Sequence, residues 1–158
     1  VHLHNLIQRS PSQPTVLLAG SYSWPPVRSL HPLLNKFADD YGSQVTFIFI
    51  YILEAHAADE WRVDSINTVV NQHKNIQDRA RAAQVFLSKF PLCKNITFVL
   101  DNEHNEFNEI YSSWPFRYWI INSDNTLRTK MMCKNIDEAD IGPLESFLRM
   151  FKKLESRK

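Results

Sequence analysis

The strongest constraint on the fold is a short strand that runs directly into a proline-opened helix. The apolar run Val16-Leu17-Leu18-Ala19 stops at a polar bend, Gly20-Ser21-Tyr22-Ser23-Trp24, and Pro25-Pro26 then open a helical pattern from Pro26 to Tyr41. The fixed φ and missing N–H of proline suit the first turn of a helix and nothing inside a sheet, so this boundary is sharply placed. A bend of this kind lies at a helix N-terminus, whose partial positive charge lowers the pKa of a thiol placed there. The position expected at its tip is Trp24. An indole has no ionisable proton near neutral pH and no lone pair suited to attack, so the frame is present without a nucleophile.

Further strand signals, rich in β-branched and aromatic residues, cover Gln44 to Leu53, Ile96 to Leu100 and Phe116 to Asn122, with a weaker one over Thr126 to Lys130; Thr15 to Ala19 is the first. Helical spacing covers Ile76 to Phe90, with Ile76, Ala80, Ala83 and Leu87 on one face after an Asn75 cap, and Pro143 to Glu155, with Leu144, Phe147, Leu148, Phe151 and Leu154. A shorter helix is expected over Asn105 to Tyr111. The order β-α-β, α-β, a hairpin across Ser123-Asp124-Asn125 and a final helix predicts an α/β, thioredoxin-like fold: a central mixed β-sheet with helices on both faces. The 158 residues, 44% hydrophobic with only 3 Gly, are one domain's worth of chain. The division expected is an N-terminal extension over 1–14, the domain over 15–155 and a tail over 156–158. The polar and aromatic excursion from Glu54 to Asn75 reads either as a functional insertion or as a solvated loop.

Eighteen basic against 17 acidic residues leave a net charge of +1, which gives no sign of a nucleic-acid binder or an anionic-membrane specialist. The longest apolar run, Val45 to Leu53, is too short to span a bilayer. Cys93 and Cys133 form no CxxC or metal-ligand spacing, so neither a disulfide framework nor a zinc site is expected. His2, His4, His31 and His104 show no convergent ligand pattern, and no metal or other cofactor is expected. Asn95-Ile96-Thr97 is a formal glycosylation acceptor, read as a chance match because it opens a core strand. The start at Val1 reads as a removed targeting segment or a trimmed chain, and with the missing disulfide pattern it points to an organelle interior such as the mitochondrion.

Four motifs resemble one family: Gly20-Ser21-x-x-x-Pro25-Pro26; Tyr51-Ile52-x-Glu54-Ala55-His56-Ala57-x-Asp59-x-Trp61; His73-x-Asn75-x-Gln77-Asp78-Arg79 followed by Ala82-Ala83; and Pro115-x-Arg117-x-x-Ile120-Ile121. From about Val16 to Phe151 the chain is similar to the catalytic domain of the iodothyronine deiodinases, thioredoxin-fold selenoenzymes, and Glu54 to Asn75 corresponds to a deiodinase-type insertion. The resemblance places the family's selenocysteine at Trp24 and a usual cysteine at Tyr22. It implies that His56 and His73 match histidines that aid proton transfer and substrate orientation, Glu54 their acidic partner, and Arg117 a basic position beside the substrate cleft. It also implies a cis proline at Pro115 and a thiol-relay position at Cys93. A carboxylate two residues before His56 is, independently, the arrangement that orients a general base; a histidine satisfying buried backbone groups is the alternative.

The preferred reading is a deiodinase-like pseudoenzyme, a non-catalytic structural or binding subunit of a larger protein assembly, in which Trp24, Trp61, Trp114 or Trp119 anchor an interface as readily as a core. Three departures from the family pattern support it: Trp24, Tyr22, and the stretch Met131 to Ile136, which lacks the family's Gly, Pro and aromatic residues. An active oxidoreductase is the alternative, either through Cys93 or Cys133, or because Trp24 stands at a UGA selenocysteine codon read as tryptophan. A third reading is an aromatic small-molecule binder that keeps Arg117, His56 and His73 as its site, with an open cleft between Trp24 and Arg117 as its mark.

Overall fold

The computed structural model describes residues 2–7, 12–64, 69–132 and 140–155. In chain order its elements are α1 (Leu3–Ile7), β1 (Thr15–Gly20), α2 (Pro25–Tyr41), β2 (Thr46–Tyr51), α3 (Ile76–Lys89), β3 (Ile96–Leu100), α4 (Glu106–Tyr111), β4 (Arg117–Ile121), β5 (Leu127–Met132) and α5 (Gly142–Glu155). One five-stranded sheet has the order β3-β2-β1-β4-β5. β1, β2 and β3 run parallel, in the register Leu17↔Ile48 and Ile48↔Thr97, while β4 is antiparallel to β1 and β5 to β4. This is the mixed thioredoxin-like sheet that the element order predicts.

Every residue of β1 is buried, as an uninterrupted apolar strand requires when both faces are covered. The crossovers β1-α2-β2 and β2-α3-β3 step in one direction across the sheet, and right-handed connections then put both helices on one face. There Val16, Leu18, Phe47 and Phe49 pack with Leu34 of α2, Phe86 of α3 and Leu144 of α5. The opposite face, formed by Leu17, Ile48, Ile50 and Trp119, is covered by the two short helices through Leu6 of α1 and Phe107 of α4.

Local boundaries differ from the sequence pattern where backbone bonding overrides hydrophobicity. Gln44 and Val45 donate to the Tyr41 carbonyl and close α2, so β2 starts only at Thr46. The buried side of α3 is Arg79, Ala82, Ala83 and Phe86; Ile76, Ala80 and Leu87 are half-exposed. That face is displaced from the Ile76, Ala80, Ala83, Leu87 stripe because a charged residue, Arg79, is buried on it. Asn75 does cap α3, its side chain accepting from Asp78 N at 2.9 Å. Asn95 is tied beneath α2 by a bond from its Nδ2 to the Ala38 carbonyl at 3.2 Å.

Candidate functional site

The bend after β1 is held by Glu54. Ser23 N donates to Glu54 Oε2 at 2.8 Å, the Tyr51 hydroxyl donates to Glu54 Oε1, and His73 Nε2 lies 3.3 Å from the same Oε1, off the axis of a straight hydrogen bond. Burial alone pushes the Glu54 carboxyl up, but the close approach of His73 and the bonds from Ser23 and Tyr51 outweigh it and leave it below the ordinary carboxylate value. Burial, then the Glu54 charge, pushes Tyr51 well above its usual value, so the phenol is the neutral donor. Behind His73 stands Arg79, whose Nε donates to His73 Nδ1 at 3.2 Å. A guanidinium has only protons to offer, so Nδ1 accepts and the ring proton of His73 sits on Nε2, facing Glu54. Arg79 also donates to the Asp101 carbonyl at 2.8 Å, to the Asn102 carbonyl and to Asn105 Oδ1, so that four of its five N–H groups have acceptors, as a buried cation requires. Gln72 closes the network, accepting from Glu54 N and donating to the Glu54 carbonyl, each at 3.0 Å.

His56 belongs to a different group, and its expected pairing with Glu54 is not what the structure contains. The strand has ended by Ile52, and Ser23 Oγ accepts from both Ala55 N at 2.9 Å and His56 N at 3.0 Å, bending the chain there. The bend sends the Glu54 carboxylate inward to His73 and the His56 ring onto Trp24, stacked at 5.5 Å between centroids with 22° between planes. Trp61 meets the other side of His56 edge-on at 5.0 Å and stacks in turn on Trp114 at 6.1 Å. The Trp61 carbonyl accepts from His56 Nδ1 at 3.1 Å, and Trp61 itself is 69% exposed with a φ of 37°, a region bulky residues rarely adopt. His56 is only 3% exposed, yet its Nε2, like Ser21 Oγ, has no hydrogen-bond partner among the described residues.

Trp24 is the N-cap residue of α2 and makes no side-chain cap bond; its indole packs at the margin of the core beneath α2. Tyr22 is core, 3% exposed, with its hydroxyl accepting from Lys89 Nζ at 3.0 Å and Arg28 over its ring at 5.6 Å. The Trp114–Pro115 peptide is cis, and the Trp114 indole N–H donates to the Glu54 carbonyl at 3.4 Å, which brings that turn against the bend.

Arg117 does not join this group. It pairs with Ala19, whose side chain lies on the second face of the sheet, and its guanidinium donates to the Tyr111 carbonyl at the end of α4 at 3.4 Å. Cys93 is a free thiol, raised above its usual pKa by burial and 3.8 Å from the Asn35 carbonyl, the reverse of what a reactive thiolate needs. Cys133 and residues 133–136 of the divergent stretch lie outside the described residues. The network members not singled out from sequence are Ser23, Tyr51, Gln72 and Arg79. Arg79 carried a legible signal: it begins the series 79, 82, 83 and 86, a helical stripe in which a lone charge among apolar residues marks a buried, paired cation. No group of metal-ligating side chains and no helix long and apolar enough to cross a membrane occurs among the described residues.

A family model for iodothyronine deiodinase matches residues 2–132. The human type II iodothyronine deiodinase is 35% identical over 111 residues, covering 68% of this chain and 41% of that protein; the human thyroxine 5-deiodinase is 31% identical over 120 residues, covering 76% and 38%. The chain thus spans about two-fifths of the length of these curated relatives. Among solved structures, a thioredoxin-like protein from Aeropyrum pernix superposes with a TM-score of 0.61 at 13% identity, covering 91% of this chain and 81% of its own. A secreted disulfide oxidoreductase from Mycobacterium tuberculosis gives 0.58 at 19% identity, covering 88% and 82%. With its motifs, its sheet topology and these likenesses in agreement, the chain belongs to the iodothyronine deiodinase family and has the thioredoxin-like fold.

Proposed function

We propose that this domain is a deiodinase-like pseudoenzyme that serves as a non-catalytic structural or binding subunit of a protein assembly. The observation that carries the reading is the Trp24–His56 stack: the position where the family's chemistry needs a nucleophile is filled by an indole that covers the histidine beside it. No residue at the bend replaces the lost group. Ser23 is buried with its oxygen already accepting two backbone bonds, and Tyr22 is part of the core. The change at Tyr22 is independent of Trp24, and a codon misreading does not account for it. The buried network of Glu54, His73 and Arg79 has a structural use in tying the excursion to α3, which explains its presence without catalysis. In this reading the assembly belongs to an organelle interior such as the mitochondrion.

A second reading has its own support. His56 Nε2 and Ser21 Oγ are buried polar atoms without partners among the described residues; with its ring proton on Nδ1, His56 Nε2 is an acceptor, and a protonated selenol at position 24 would supply a donor to it, while the Ser21 hydroxyl could donate to the selenium. In this reading Trp24 is a misread UGA and the protein is an active deiodinase-type oxidoreductase. An aromatic-ligand site built from His56, His73 and Arg117 has less support, because Arg117 is directed to α4 and His73 into the network.

Native purification with intact-mass and co-purification analysis separates these readings. The pseudoenzyme reading expects the tryptophan mass, defined partner subunits in an organelle fraction, and no deiodination of iodothyronines with thiol reductant. Trp24→Cys is expected to restore little activity, because Tyr22 still occupies the neighbouring position. A selenocysteine mass, or robust rescue by that single change, would replace this reading with the enzymatic one.

A further inference from the structure

The second face of the sheet carries a groove that the bend and its network do not use. β1, β4 and β5 supply its floor through Leu17, Trp119 and Leu127, and α1 and α4 supply walls through Ile7 and Ile110; its volume is about 470 Å3. Small-molecule sites span roughly 300–1,000 Å3 and are lined mostly by apolar groups with a few polar ones that fix orientation. Ile110 and Leu127 are 71% and 57% exposed, so large apolar side chains of this lining face solvent. The polar members of the lining among the described residues are Lys130, His4, the Tyr111 hydroxyl and the amide of Asn125, and none of these is a carboxylate. Lys130 is the Cα partner of Trp119, which places both side chains on the same face of the sheet, and Lys130 forms no ion pair among the described residues. A neighbouring cavity of about 610 Å3 on the same face is lined instead by Asp101 and Glu106, so the positive character is confined to the β5 side.

We propose that this groove binds an amphipathic monocarboxylate of the fatty-acid class, with the acyl chain along Leu17, Trp119 and Leu127 and the carboxylate at Lys130. The pairing follows from charge: an apolar trough whose described lining carries a cationic rim favours an anion with a long apolar body over a neutral or cationic one. The site is independent of residue 24, so it stands or falls separately from the pseudoenzyme reading.

The test is titration of the chain with dodecanoate below its micelle-forming concentration, read by calorimetry and by the indole N–H resonances. Dodecanol and dodecyltrimethylammonium serve as the uncharged and cationic probes. Saturable dodecanoate binding with a shift of the Trp119 indole is expected, with dodecanol about tenfold weaker and the cation weaker still, as the loss of one charge-assisted bond predicts. Lys130→Gln is expected to weaken dodecanoate about tenfold and leave dodecanol unchanged, and Leu127→Asp, at an exposed position, to weaken both. Absence of saturation, equal affinity for all three probes, or a shift confined to the Trp24 indole would overturn the proposal. So would unchanged binding by Lys130→Gln, which would leave Lys130 as a charge guarding an edge strand only.

Discussion

Glu54 concentrates the polar chemistry of the molecule in one carboxylate, and its pH dependence has a definite sign. Its folded pKa lies below the ordinary value of 4.5, because the nearby His73 ring N–H and the bonds from Ser23 and Tyr51 favour the ionised form more than burial disfavours it. The unfolded chain therefore holds the Glu54 proton more readily. The stability this group contributes is complete above the unfolded value and is lost as pH falls from there through the lower folded one. Glu54→Gln is expected to cost about 1–3 kcal/mol near neutral pH, and urea denaturation should show that difference shrinking across the acid window; a pH-independent difference would contradict the assignment. The Trp24–His56 stack is the second residue-scale feature. A double-mutant cycle with alanine at both positions should return a coupling of about 0.5–1.5 kcal/mol, the range for aromatic pairs in contact, whereas additivity would mean that the stack contributes nothing.

At the scale of elements, the junction of β1 and α2 is set by close approach. A Cβ on Gly20 would lie 2.5 Å from Val27 Cγ2 and 3.2 Å from Phe116 Cδ2, so α2 can start against the sheet only with glycine there. Gly20→Ala should lower stability by about 1–3 kcal/mol through overpacking, measurable as a drop in melting temperature, and Val27→Ala in the same chain should recover part of it. The existence and order of the elements from β1 onward were legible in the sequence, because strand length and β-branched content separate the strands from the periodic helices; α1, five residues inside the expected extension, was not, being too short to show a period. The Asn75 cap was legible too, since a short polar side chain before an apolar-periodic run is a local signal. The buried face of α3 is missed by a stripe drawn from apolar residues alone, which passes over Arg79 although its place in the series 79, 82, 83 and 86 is legible; its acceptors on the β3–α4 loop offset the cost of burying it.

Across the whole molecule, Arg79 at the start of α3 joins the end of the excursion, through His73, to the loop between β3 and α4 more than twenty residues further on, through Asp101, Asn102 and Asn105. Asp101 in turn caps α4, accepting from Phe107 N at 2.9 Å and Asn108 N at 3.1 Å. Arg79→Ala is therefore expected to cost about 3–5 kcal/mol, as for other broken buried charge networks. Native-state hydrogen exchange should show the loss concentrated in α4 and in the described parts of the excursion, 54–64 and 69–75, with β1 and β2 protected longest. A uniform loss across the sheet would mean that Arg79 serves general core packing.

The sequence by itself determined the order of the sheet's strands and of the helices between them, the proline-started α2 and the family motifs, since these depend on residue type and local spacing. Tertiary structure alone decided the pairings within those motifs. Glu54 faces His73 and not His56 because Ser23 Oγ captures two backbone N–H groups and turns the chain between them. Arg117 faces α4 because antiparallel pairing with Ala19 fixes which side of the sheet it occupies. The groove beside Lys130 lies where β1, β4 and β5 meet Ile7 of α1 and Ile110 of α4 on the second face. Each of these is a long-range contact, set by which segments meet across the sheet, and local sequence pattern carries no information about that meeting.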